Sequence, residues 1–215
     1  MKIKAIYFDL DGTLLDTLQD IHEALNYTLE ELGKSLVTFE QTRSFVGNGL
    51  RNVLRHALSS DDVDYALERF HHHYSTHLVV NTMPYEGVVQ LLEELKKMDI
   101  KLGVISNKTD AYVHRLVDHF FSDTFNVVIG ERTDLKRKPH RDMLDYALKE
   151  TNNVINEIIF VGDSLVDASF IKDHQIHGAL LTYGFDDEAN LIPTKLPCFK
   201  DIASLRSWIL SHLSV

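Results

Sequence analysis

Apolar positions follow two different patterns along this chain, and the change comes near Lys101. The first run, Lys4 to Phe8, is short and unbroken, which predicts a buried strand; Gly12 supplies the turn that ends it. Ile21, Leu25, Leu29 and Leu32 then recur at helical spacing, with Gly33 as the stop. Phe39 to Phe45 predicts a short helix that Val46-Gly47-Asn48-Gly49 breaks, and Leu50 to Leu58 and Val63 to Leu78 predict two more. Met83-Pro84-Tyr85-Glu86-Gly87 marks a return, and Val88 to Met98 reads as an amphipathic helix. From Lys101 onward strands are predicted near 101–105, 125–129, 158–161 and 178–181, alternating with helices near 109–119, 140–150, 165–173 and 201–213.

Such alternation predicts an α/β protein, with a doubly wound parallel sheet and helices on both its faces. The first strand, which ends in carboxylates, is assigned to the same sheet. Residues 16–82 then form an all-helical insert, and residues 1–15 with 83–215 form the core. The two crossings between them are hinge candidates.

Composition narrows the function classes. Apolar residues make up 44% of the 215, enough for a sizeable core, and no apolar run approaches the ~20 residues of a membrane span. The N-terminus enters the first strand almost at once, so no signal peptide is expected. Cys198 is the only cysteine, so no internal disulfide can form. A cytoplasmic location is the matching expectation. Net charge of −10 argues against a nucleic-acid partner. It is compatible with an anionic substrate, which local groups would hold. The expected assembly is a monomer or homodimer. His71-His72-His73 reads as a polar helix face, because adjacent residues on a helix point in different directions.

Three predicted strands deliver polar residues at their carboxyl ends, where open α/β sheets bind ligands. The first ends in Asp9-Leu10-Asp11-Gly12-Thr13, the second in Ser106-Asn107-Lys108 and the third in Gly162-Asp163-Ser164-Leu165-Val166-Asp167. A basic cluster, Lys136-Arg137-Lys138-Pro139, precedes a predicted helix. Asp11-Gly12 alone could be a hairpin turn, but the pattern that follows is helical. Two close acids at a strand end are costly unless a cation sits between them, and a divalent metal would account for both. Ser106 and Asn107 are placed where a helix would begin, and the hydroxyl and amides there suit phosphoryl oxygens.

Taken together, Asp9/Asp11/Thr13, Ser106, Lys138 and Asp163/Asp167 resemble, in order and over nearly the whole chain, the four motifs of the haloacid dehalogenase-like phosphohydrolases. The resemblance implies a Rossmann-like core under a helical cap. It implies that Asp9 is a nucleophile forming an aspartyl-phosphate and that Asp11 is the general acid/base, giving only its backbone carbonyl to the metal. Lys138 would neutralise the transferring group. Asp163 would be a direct metal ligand, with Asp167 acting nearby through a water or by holding Lys138. Gly12 and Thr13 join the expected substrate contacts. Hard oxygen ligands and a phosphate substrate favour Mg²⁺ over zinc. At the third motif relatives commonly read Lys-Pro-x-Pro; here Arg141 stands in the second proline's place and reads as a surface residue at a helix start.

Phe45-Val46-Gly47-Asn48-Gly49-Leu50 looks like the cap loop of phosphoglycolate phosphatases, as does Ser106-Asn107-Lys108. Gly47 and Gly49 would expose backbone N–H groups to a small anion, and Arg51 would add charge. The expected partner is therefore a small phosphorylated metabolite, with 2-phosphoglycolate as the leading candidate. Pyrophosphate or nucleotide hydrolysis is the closest alternative. A β-phosphoglucomutase follows, and a non-catalytic phosphate-binding protein comes last.

Overall fold

The computed structural model describes residues 2–58 and 63–213; residues 59–62 of the expected insert and residues 1, 214 and 215 of the expected core lie outside the described residues. The first strand, β1 (Ala5–Phe8), forms where the apolar run predicts it. Leu15–Asp16 makes a two-residue strand, β2. The helices α1 (Leu18–Glu31), α2 (Phe39–Phe45), α3 (Leu50–Leu58) and α4 (Val63–Tyr74) follow, and the chain returns through β3 (Met83–Pro84). Gly33 ends α1 with a φ of +62°, a conformation that costs glycine nothing. The helix expected to run to Leu78 stops at Tyr74 and gives way to turns.

The rest of the core is β4 (Lys101–Thr109), β5 (Val127–Glu131), β6 (Ile158–Gly162), β7 (His177–Leu181) and β8 (Cys198–Phe199), with α5 (Val88–Lys97), α6 (Asp110–Phe120), α7 (Asp142–Thr151), α8 (Leu165–Asp173), α9 (Glu188–Leu191) and α10 (Ile202–Leu213) between and after them. The six core strands form one sheet in the order β5-β4-β1-β6-β7-β8, and every pair is parallel. The chain adds β4 and β5 on one side of β1, then crosses to add β6 on the other. That reversal makes the carboxyl end of β1 a switch point, with β4 and β6 as its walls.

Side chains alternate across the sheet as strand geometry requires. Ile6, Phe8, Leu102, Val104, Ile159 and Val161 enter the apolar layer under α5, α6 and α10. Ala5, Tyr7, Ile105, Ile158 and Phe160 enter the layer under α7 and α8. Apolar residues of α1, α3 and α4, among them Leu25, Leu54 and Phe70, belong to the same cluster as the first of these layers, together with Leu10, Leu14 and Leu15. The helical segment packs mainly on itself and shares its apolar cluster with one layer of the core.

The two crossings are more ordered than the sequence pattern implies. β2 and β3 pair antiparallel, Leu15 opposite Pro84 and Asp16 opposite Met83. Asp20, buried in the first turn of α1, accepts hydrogen bonds from the backbone N–H groups of Asn81 and Thr82, from the Asn81 amide and from the Thr82 hydroxyl. The three successive histidines of α4 diverge: His71 meets the Tyr112 hydroxyl at 2.7 Å, while His73 stacks on Tyr27 and on His77. No helix among the described residues is long and apolar enough to cross a membrane.

Candidate active site

Register places the acids. Phe8 is opposite Val104 on one side and Val161 on the other, and the Asp9 N–H donates to the Val161 carbonyl at 2.9 Å. Asp9 leaves β1 level with the residues that lead into Ser106 and Asp163. Carboxylate oxygens of Asp9, Asp163 and Asp167 lie within 4.8 Å of one another, and all three side chains are buried. Lys138, on the loop before α7, puts its Nζ 3.0 Å from Asp9 Oδ2 and 2.8 Å from Asp167 Oδ1. It is buried, does not line the adjoining cavity, and lies over the Phe160 ring.

Protonation follows from this crowding. Burial raises the Asp9 pKa to about 6; the Lys138 cation opposes the rise and the Asp167 charge adds to it. Burial raises Asp163 as well, and the Asp167 and Asp9 charges push the same way. Burial works against the Lys138 ammonium, but the Asp167 and Asp9 carboxylates outweigh it and hold its pKa above the usual value. One ammonium thus faces three carboxylates.

Hydrogen bonding sorts these acids by the lone pairs left to them. Asp167 Oδ2 accepts from the N–H of Asp163, from the N–H of Ser164 and from the Ser164 hydroxyl, while Oδ1 takes Lys138. It is saturated, closing a capping box on α8. Asp163 takes one donor on each oxygen, Thr13 Oγ1 at 2.6 Å and the Phe185 N–H at 2.8 Å. Asp9 Oδ1 accepts from the Leu10 N–H. Asp9 and Asp163 keep free hard-oxygen lone pairs in a site short of positive charge, a donor set that fits a small divalent cation. Gly12, at φ +81°, and Gly184 let the backbone close around Asp163: a Cβ at either would come within 2.4 Å of that side chain.

Not every expected contact is where the sequence placed it. Ser106 and Asn107 do not begin a helix. β4 continues to Thr109, which pairs with Glu131, and α6 starts at Asp110. Gly130 permits this, since a Cβ there would lie 2.4 Å from the Asp110 Cα. The Asn107 amide instead donates to the carbonyls of Gly47 and Lys138, leaving its buried Oδ1 without a partner. Gly12 and Thr13 crowd Asp163 and do not line the cavity. Arg51 is also away from it, paired with Asp64 of α4 at 2.6 Å, because its position on α3 faces the neighbouring helix. Gly47 and Gly49 do line the cavity, both at positive φ. Arg141 pairs with Asp145 on the surface of α7.

Two further cations come to the site: Arg43, which the sequence pattern did not mark, and Lys108, which it marked only as part of the polar strand end Ser106-Asn107-Lys108. Arg43 of α2 lines the cavity and donates to the carbonyls of Phe185 at 2.9 Å and Gly184 at 3.0 Å. Its partners lie on the loop whose Phe185 N–H holds Asp163. The Lys108 side chain is only 6% exposed, and its Nζ donates to both oxygens of Asp11 at 3.1 Å and to the Tyr74 hydroxyl at 2.8 Å. The Asp11 carboxylate also accepts from the Thr17 hydroxyl at 2.7 Å, so it is directed differently from the Asp9–Asp163–Asp167 cluster.

Residues 6–179 match the model of a protein family described as haloacid dehalogenase-like hydrolase. A phosphoglycolate phosphatase from Nitrosospira multiformis is 30% identical over 214 residues, spanning 95% of this chain and 93% of that one. A second, from Colwellia psychrerythraea, is 31% identical over 194 residues, 85% of this chain and 86% of the other. The crystal structure of a predicted phosphoglycolate phosphatase from Haemophilus somnus superposes with a TM-score of 0.91 at 25% identity, over 97% of this chain and 99% of that one.

Proposed function

From the premise that this chain belongs to the haloacid dehalogenase-like hydrolase family and is a phosphoric monoester hydrolase, we propose that it hydrolyses a small phosphate monoester, 2-phosphoglycolate first among candidates, through an aspartyl-phosphate. The observation that carries this reading is the meeting of Asp9, Lys138 and Asp163 at the carboxyl ends of β1 and β6, beside a cavity that the helical segment roofs. We assign residues 16–82 the role of a cap over a core of 1–15 and 83–215.

Asp9 attacks phosphorus, forming an acyl-phosphate bond as the bond to the ester oxygen breaks. Asp11 gives that oxygen its proton. In the second half, Asp11 takes a proton from water, the water oxygen bonds to phosphorus, and inorganic phosphate leaves with Asp9 regenerated. Lys138 and the Ser106 hydroxyl neutralise and orient the transferring group. Asp9 and Asp163 would hold Mg²⁺, with the Asp11 carbonyl, and Asp167 would serve by fixing Lys138. Bound there, Mg²⁺ would supply charge stabilisation to the phosphoryl oxygens. The cap's Gly47–Gly49 turn and Arg43 sit where the organic part of the substrate would lie.

The test is a phosphate-release screen with Mg²⁺ over 2-phosphoglycolate, pyrophosphate, nucleoside monophosphates and β-glucose 1-phosphate, run beside Asp9→Asn. We expect 2-phosphoglycolate to be turned over with the highest kcat/KM and Asp9→Asn to be inactive but folded. Preference for another ester would reassign the substrate. Phosphate release by Asp9→Asn at the wild-type rate would remove the nucleophile assignment.

A further inference from the structure

Resting on that reading of Asp11, we propose that Lys108 and Tyr74 are positioning residues for the acid/base, forming a clamp that joins the last residue of cap helix α4 to the Asp11 carboxylate. The observation is a chain of part-buried contacts at the cavity wall that the hydrolysis scheme leaves unused. Lys108 Nζ spans both Asp11 oxygens at 3.1 Å, and its remaining partner is the Tyr74 hydroxyl at 2.8 Å. An ammonium has three donor hydrogens, and here each has an acceptor.

The arrangement is too specific for incidental pairing. A lysine head on a flexible four-carbon stem loses rotamer entropy on being held, so a lysine that must hold one geometry needs fixing at its tip. Tyr74 does this twice, through its hydroxyl and through its ring, whose centroid is 4.9 Å from Nζ. Tyr74 is itself fixed, edge-on to Tyr112 at 5.1 Å and tilted against Phe70. At the other end, the Lys108 N–H donates to Ser106 Oγ, tying the clamp to the strand end that would face phosphate.

Asp11 is thereby held from both ends of the cap. Thr17, which caps α1, donates to Oδ1, and Tyr74, which ends α4, acts through Lys108. A carboxylate that must give a proton to one oxygen and take one from another needs a fixed aim within hydrogen-bond reach. The docked cap supplies that aim. Lifting α4 would remove the Tyr74 hydroxyl and free the Lys108 head, so correct orientation of Asp11 is tied to cap position.

A positioning role and a merely structural one differ in leaving-group dependence. Protonation by Asp11 matters for a basic leaving oxygen and little for p-nitrophenolate. The experiment measures kcat/KM, which reports the phosphoryl-transfer half, for phenyl phosphate and p-nitrophenyl phosphate in Mg²⁺. The variants are Tyr74→Phe, Lys108→Met and Asp11→Asn, with folding checked by circular dichroism. We expect Tyr74→Phe to lower kcat/KM for phenyl phosphate about tenfold more than for p-nitrophenyl phosphate, and Lys108→Met to discriminate further. We also expect Tyr74→Phe to add no discrimination in the Asp11→Asn background. Should Lys108→Met not fold, Tyr74→Phe, which keeps the ring packing, decides alone. Equal losses on both esters in Tyr74→Phe, or no loss, while Asp11→Asn discriminates, would overturn the clamp and leave the reaction scheme standing. If Asp11→Asn itself treats both esters alike, the acid/base assignment fails and the clamp falls with it.

Discussion

Lys138 meets Asp9 in surroundings closed to solvent, its Nζ 3.0 Å from Asp9 Oδ2 and its other contact committed to Asp167. This ammonium is the positive charge that the three clustered carboxylates have within their own shell. Replacing it removes charge stabilisation of the transferring group and leaves Asp9 and Asp167 repelling each other. Lys138→Met should therefore lower kcat by at least about 10²–10³-fold, the usual scale for losing one such group. Lys138→Arg should not restore it, since a planar guanidinium is a poor substitute for a compact ammonium in a filled site. Steady-state kinetics of both variants, with folding verified, checks this.

The acid cluster also makes a pH prediction about metal-free protein. Burial places the folded-state pKa of Asp9 near 6 against an ordinary 3.8, and raises Asp163 too. Between those values the folded state binds more protons than the unfolded state, so stability of the metal-free protein should fall as pH rises from about 4 through about 6. Mg²⁺ would relieve the repulsion, and only for ionised carboxylates. At neutral pH and 100 times its Kd it should stabilise by about 2.7 kcal/mol, raising Tm by roughly 5–10 °C in a chain of this size. The gain should shrink toward pH 5. Melting curves with Mg²⁺ and with chelator across pH 5–8 test it; a gain independent of pH would mean the cation binds elsewhere.

Gly184 packs directly against Asp163: a Cβ there would lie 2.3 Å from the Asp163 Cβ. Gly184→Ala must displace that carboxylate. We expect the Mg²⁺ concentration for half-maximal activity to rise by about tenfold or more, on the scale seen when a metal ligand's supporting group is lost. Activity titrations with Mg²⁺ on wild type and variant give the comparison.

Arg43 ties α2 to the carbonyls of Gly184 and Phe185 through two charge-assisted hydrogen bonds. Each such bond contributes about 1.5–3 kcal/mol, offset here by partial exposure. Arg43→Gln should lower kcat/KM about tenfold or more, mainly through KM, because cap docking loses its link to the loop that holds Asp163. A change confined to kcat would argue for a role in the chemistry.

Asp20 gathers four hydrogen-bond donors from Asn81 and Thr82, joining the start of α1 to the chain's return into the core. Asp20→Ala would strand the buried Thr82 N–H and hydroxyl. The expected cost is about 2–4 kcal/mol in denaturant unfolding, with kcat changed less than stability.

Sequence by itself determined five of the sheet's six strands, the helical segment and the acids at the strand ends; the two-residue edge strand β8 (Cys198–Phe199) is too short to leave a pattern. Unbroken apolar runs such as Ile158 to Val161 have the length and flanks of buried parallel strands, and their polar terminal residues must emerge at the ligand-binding edge. Asp9 and Asp163 were legible for that reason: each follows its strand directly. Lys138, the cation that meets Asp9, was legible too, from its place in the motif order. Tertiary structure alone decided what the other cations meet. Arg43 and Arg51 are both exposed-type residues of short helices in the helical segment, and only the packing of α2 and α3 turns the first to the Gly184 loop and the second to Asp64. The extension of β4 to Thr109 depends on β5 pairing alongside and on Gly130 admitting the start of α6, contacts that no local pattern encodes. Lys108 reads in the sequence as one polar residue after a strand. Its role depends on Asp11 and Tyr74, which are distant along the chain and are brought to it only when the helical segment packs onto the core, because periodicity reports which face a residue takes and not what that face will meet.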